Sequence, residues 1–72
     1  MNKEQLLAEA GLEDAYAAQA EAYMQAMERT TERTGGALGH LHNPSQYAGW
    51  QRAAAEHRKR AADLRAEAET TT

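Results

Sequence analysis

The 72-residue chain contains no cysteine, no valine, no isoleucine and no phenylalanine, and only one proline. Without thiols there is no disulfide framework and no thiolate metal site, so the usual staples of small secreted domains are missing and a cytoplasmic setting is expected. Threonine is the only β-branched residue type, which argues against a sheet. No apolar run approaches the roughly eighteen residues of a membrane span, and the polar start Met1-Asn2-Lys3-Glu4-Gln5 does not lead into a signal-peptide core, so neither insertion nor export is expected. The formal net charge of -3 is too small for a nucleic-acid mimic or an acidic tail.

Catalytic residue types are equally sparse. Ser45 is the only serine and falls where a helix begins, no thiol nucleophile exists, and Gly35, Gly36 and Gly39 lack the following Lys-Ser/Thr of a phosphate loop. An enzyme is therefore not expected, nor any cofactor. His40 and His42 form an HxH pair in a glycine-rich segment, a weak zinc signal that is more often two solvated loop residues.

What the chain does have is Ala, Glu, Gln and Arg in abundance, all favourable to helix. The large apolar residues are few: six Leu, three Met, three Tyr and Trp50. A single domain is all that this length supports. The expected fold is all-α, an antiparallel helical hairpin. A first helix over about 2–34 opens at Asn2 with Gln5 three residues on, and a kink or short break is expected near Gly11. A glycine-rich loop occupies 35–43, with Gly35 placed as a C-terminal stop. A second helix spans about 44–69, with Asn43 as N-cap, Pro44 in the first helical position and Gln46 completing the cap, and residues 70–72 form a frayed tail.

Charge and apolar patterns support the pairing. Residues 1–34 carry seven acids against Lys3, Arg29 and Arg33, whereas residues 51–65 carry Arg52, Arg58, Lys59, Arg60 and Arg65 against Glu56 and Asp63. In the second helix Tyr47, Trp50, Ala54, His57, Ala61, Leu64 and Ala68 follow one another at spacings of three and four, the pattern of a coiled-coil seam whose alanines allow close approach. In the first, Tyr16, Ala17, Ala20, Tyr23, Met24 and Met27 form a wider stripe able to cover two neighbours, which Glu9 and Glu13 spoil towards the N-terminus. Folding about Gly39 pairs positions whose numbers sum to about 78. Ala61 then meets Ala17, Ala54 meets Met24, Trp50 lies near Met27, and Arg65, Arg58 and Arg52 lie near Glu13, Glu21 and Glu28.

Two helices meeting along an alanine seam bury little apolar area. A four-helix bundle, completed by homodimerisation or by docking on a larger protein, is the expected remedy. The function expected is a small protein–protein interaction module, an adaptor, regulator or inhibitor, whose Ala, Arg and Glu bias would fit a high-GC phage or actinobacterial source. Its contacts would come from the two seams and from Leu38 and Leu41 at the hairpin tip, which either fold back over the bundle end or meet the partner. His57, the polar member of the second seam, either fixes register or senses pH, or simply packs its ring. One alternative is a dimeric nucleic-acid-binding regulator using Arg52, Arg58, Lys59, Arg60 and Arg65, although these cations do not form one stripe when wound onto a helix. Another is a structural component of a larger assembly such as a phage particle.

Overall fold

The structure, a computed structural model, describes residues 1–40 and 42–71. Leu41 and Thr72 lie outside the described residues, and with them the contact expected of Leu41 and the fraying expected of Thr72. Two helices, α1 (Lys3–Thr34) and α2 (Pro44–Thr70), pack side by side as an antiparallel hairpin measuring 54 × 16 × 12 Å.

Local chemistry sets the four helix ends. The Asn2 side chain accepts from the Gln5 amide at 2.8 Å while the Gln5 side chain accepts from the Asn2 amide at 2.9 Å, so two otherwise orphaned donors of α1 are satisfied. Gly35, at φ 61°, ends α1 in the left-handed conformation, and its amide donates to the Thr31 carbonyl. Pro44 opens α2 behind Asn43, whose side chain accepts from the Gln46 amide and donates to the Gln46 side chain. α2 runs on through Thr70, one residue beyond expectation, and Thr70 and Thr71 both bond back through their hydroxyls to the Glu67 carbonyl.

The break expected at Gly11 is absent. α1 passes through Gly11 without interruption, and a Cβ built there meets nothing within 4 Å. Leu6 and Ala10 are buried on the same line as Ala17 and Ala20, with Leu7 exposed, so the packing face runs unbroken past the glycine. Residues 6, 10, 13, 17, 20, 24, 27 and 31 make one continuous line at alternating spacings of four and three, and each is buried or half-buried.

The core is correspondingly thin. Among the described residues Leu6 is the only large side chain fully withdrawn from water, and Ala10, Ala17, Ala20, Ala54, Ala61, Ala68 and Thr31 complete the buried set. Alanines on facing lines bring the helices close together, while Met24, Met27, Tyr47, Trp50 and Leu64 are half-covered.

Between the helices, Gly39 folds onto the end of α1. Its φ of 93° is a conformation that side chains resist. The next residue, His40, donates its amide to Thr31 Oγ1 at 2.9 Å, and its Nδ1 lies 2.9 Å from the same hydroxyl. Thr31 Oγ1 also donates to the Met27 carbonyl. One buried hydroxyl thus ties the loop to the last turns of α1.

Candidate functional site

The contacts across the hairpin run in a different register from the one expected. Tyr16 meets His57 and Tyr23 stacks on Trp50, pairs whose numbers sum to 73 rather than 78. The chain turns immediately after α1 and then folds His40 back onto Thr31, so the centre of the turn lies before Gly39.

That shift changes the ion pairs. Arg58 reaches Glu21, as expected, but it also binds Asp14 at 3.0 Å, and Arg65 binds Asp14 rather than Glu13. Arg52 makes no ion pair among the described residues, and Glu28 instead accepts from the Tyr47 hydroxyl at 2.6 Å. This flank is therefore a polar clasp in which Asp14, Glu21 and Glu28 of α1 hold Arg58, Arg65 and Tyr47 of α2. Hydrogen bonding to Arg65, reinforced by Arg58, holds the Asp14 carboxyl below its ordinary value against the opposing effect of desolvation. The bond to Glu28 raises the Tyr47 hydroxyl above 10.0, with partial burial and the nearby carboxylate charge acting the same way. Glu21, then Asp14, strengthens the hold of Arg58 on its proton.

The seam itself contains one polar pair. Glu13, which sequence reasoning set aside as spoiling the first stripe, lies on the seam with its side chain only 14% exposed, and its carboxylate meets His57 Nδ1 at 2.5 Å. The Tyr16 ring covers the imidazole from the side at 5.4 Å between centroids. His57 is half-buried, so the register reading of this residue gains a named partner.

The opposite flank of the hairpin is apolar from Leu12 to the loop end and charged beyond it, where Glu9, Glu13, Arg60, Asp63 and Glu67 line a groove with Leu64. The Tyr23 and Trp50 rings lie 4.6 Å apart and 25° from parallel, and Leu12, Tyr16 and Tyr23 are each close to half exposed. Tyr23, Ala26, Met27, Thr30, Gly39, Gln46 and Trp50 line an open groove of about 480 Å³ near the loop end. Beside it Gly49 and Ala53 expose a shallow, small-residue surface against the edge of Trp50.

Among the remaining expected contact residues, Ala20, Ala54 and Ala61 are buried within the hairpin, and Met24, Met27, Tyr47 and Leu64 are half-buried along it. Leu38 is 51% exposed at the tip. Of the remaining cations, Lys59 binds Asp63 on its own helix at 2.9 Å, and Arg60 lies 4.0 Å from Glu13. His40 and His42 are not brought together as a pair of ligands. His40 turns Nδ1 to Thr31 and packs its ring against Tyr47, whereas His42 is exposed. No cluster of three metal-ligating side chains occurs among the described residues. No helix among them is long and apolar enough to cross a membrane.

Sequence reasoning missed Asp14 and Thr31, gave Glu13 and Glu28 other partners, Arg65 and Arg52, and took Gly39 as the centre of the turn. A signal for Glu13 and Thr31 was present: both fall on the four-three spacing when the line is extended through polar positions. No protein-family model, curated protein or solved structure matches the chain.

Proposed function

We propose that the chain is a small, non-enzymatic protein–protein interaction module of the cytoplasm that acts by packing its apolar flank against other helices. The observation that carries this reading is the distribution of large side chains. The hairpin fills its core with alanine, while Leu12, Tyr16 and Tyr23 stand half-exposed on one side next to Trp50. Aromatic residues held rigidly by neighbours yet open to solvent are the usual anchors of interfaces, because they bury large area at little cost in conformational entropy. The clasped flank is unsuited to the role, since its charges already satisfy one another. The same clasp argues against nucleic-acid binding: Arg58 and Arg65 are engaged by Asp14 and Glu21, and the free surface carries mixed charge.

A photoreactive phenylalanine analogue placed at Tyr23, and separately at exposed Arg52 on the back of α2, tests the reading in cells. Covalent protein adducts are expected from position 23, with the linked peptide coming from a helix face, and not from position 52. Adducts that do not discriminate between the two positions, or salt-sensitive binding of the purified chain to generic duplex or single-stranded DNA, overturn it.

A further inference from the structure

α1 carries a second line of residues beside the one that faces α2. Glu9, Leu12, Tyr16, Gln19, Tyr23, Ala26, Thr30 and Arg33 follow one another at alternating spacings of three and four without a gap. Within α1 this line runs along the apolar flank, includes Leu12, Tyr16 and Tyr23, and ends where Arg33 lies back over Thr30 at 3.3 Å. A helix with two such lines is built to lie between two neighbours, and α2 supplies only one.

The second line is complementary to itself. Placed antiparallel to an identical helix, with the two-fold axis near residue 21, it sets Glu9 opposite Arg33, Leu12 opposite Thr30, Tyr16 opposite Ala26, and Gln19 opposite Tyr23. Each large side chain then faces a smaller one, the tyrosine hydroxyl faces an amide that can bond it, and unlike charges close both ends. The groove beside Ala26 and Thr30 lies where Leu12 and Tyr16 of the other copy project. A parallel pairing would instead oppose Glu9 to Glu9, Arg33 to Arg33 and Tyr16 to Tyr16. Sliding the antiparallel pair by seven residues in either direction separates Glu9 from Arg33 at both ends.

Surface area supports a second copy. The hairpin exposes 5000 Å², whereas a compact 7.9 kDa monomer is expected to expose about 4,400 Å². The surplus of about 600 Å² is close to the roughly 800 Å² that each partner covers in an ordinary stable interface.

We propose, resting on the interaction-module reading above, that the flank is occupied by a second copy of this chain, docked antiparallel along α1 with Tyr16 of each copy against Ala26 of the other. Sedimentation equilibrium of the purified protein is expected to give twice the mass of the chain. The Leu12→Cys/Thr30→Cys variant is expected to form a dimer-sized disulfide product under mild oxidation. Within one chain these two positions lie about 27 Å apart along the helix and cannot pair. Leu12→Cys alone is expected to form none, because only a parallel dimer would bring those two sites together. Reversing one end charge, by Glu9→Arg or by Arg33→Glu, is expected to weaken self-association by roughly fivefold at low salt, and the double reversal is expected to restore it. A wild-type monomer at 100 µM, or efficient linking by Leu12→Cys alone, overturns the proposal. If the chain is monomeric while position 23 still captures the helix of a different protein in cells, the second copy is refuted and the interaction module stands. If position 23 captures nothing either, both fail.

Discussion

Gly39 is the position at which the hairpin tolerates a side chain least, and three glycine substitutions separate the reasons. A Cβ on Gly39 would fall under 3 Å from the Met27 carbonyl oxygen and from Thr31 Oγ1, and 2.6 Å from the Thr31 amide nitrogen. Two of these neighbours are backbone atoms inside α1 and cannot swing aside. The φ of 93° adds conformational strain, about 1–3 kcal/mol for a residue with a side chain. Relief requires lifting the loop from α1, which breaks the His40 amide bond to Thr31, about 0.5–1.5 kcal/mol. Gly39→Ala is therefore expected to cost about 1.5–4.5 kcal/mol, a large part of the total stability of so small a fold. Gly35→Ala isolates strain, since φ is 61° but nothing lies within 4 Å of the added carbon, and about 1–2 kcal/mol is expected. Gly11→Ala, open on the surface of α1, is expected to stabilise by about 0.8–1 kcal/mol. Urea and thermal unfolding by circular dichroism at 222 nm, at one fixed protein concentration, should rank the variants in that order. The melting temperature should rise by roughly 4–8 °C for Gly11→Ala and fall by roughly 20 °C for Gly39→Ala. If Gly39→Ala unfolds within about 1 kcal/mol of wild type, the loop does not pack on α1 as described and the register derived from it is wrong.

Seam, clasp and alkaline behaviour give three further tests. Ala61→Leu forces a larger side chain between closely spaced helices and is expected to cost about 1–3 kcal/mol, while the neighbouring Ala62→Leu, exposed, should be near neutral in urea unfolding; equal effects would contradict the close approach. Asp14 has a folded pKa below its unfolded 3.8, so its contribution is fully present above that value and is lost as pH falls through the folded value. Asp14→Asn should accordingly lower stability at neutral pH and flatten the part of the acid limb below about pH 4, and an unchanged limb would show that the clasp to Arg58 and Arg65 does not form in solution. Tyr47 has the opposite sign: its folded pKa is raised above 10.0 by Glu28, so its contribution is complete below pH 10.0 and disappears as pH rises through the folded value. Absorbance titration of phenolate should show a late component that Tyr47→Phe and Glu28→Gln each remove.

Helix type and helix ends were legible in the chain because they depend on neighbours in sequence. Asn2 with Gln5, Asn43 with Pro44 and Gln46, and Gly35 are all short-range chemistry, and the seam of α2 reads without a gap from Tyr47 to Ala68. Register was not legible, because alanines discriminate poorly between neighbouring alignments and the turn that decides it depends on Gly39 meeting the backbone of α1, a contact no local pattern reveals. Gly11 misled in the opposite direction: its helix cost is only about 1 kcal/mol, and a long helix already anchored by Leu6 and Ala10 on the seam absorbs it. Glu13 was misread through the assumption that a carboxylate interrupts a packing line. Its spacing was correct, and only the register shows that His57 stands across from it.

The Glu13–His57 pair then has a consequence for specificity that its energy alone would not suggest. Sliding α2 by one heptad keeps small residues facing small ones along much of the seam, so burial changes little, and because Arg58 and Arg65 are seven residues apart one arginine still reaches Asp14, but the slide removes His57 from Glu13. A half-buried carboxylate without a partner costs more than the pair contributes. Polar residues, rather than alanines, therefore select the alignment. This predicts that Glu13→Leu/His57→Leu leaves stability unchanged or higher while loosening register. The two single variants should each lose stability, with a coupling of about 0.5–2 kcal/mol in the double-mutant cycle. The discriminating measurement is the contact between Tyr23 and Trp50, which depends on register. Ring-current shifts of the Tyr23 resonances should be sharp and single in the wild type, and broadened or doubled in the double-leucine variant. A double variant with one sharp set at the wild-type shifts would mean that the loop alone sets the alignment, through Gly39, His40 and Thr31.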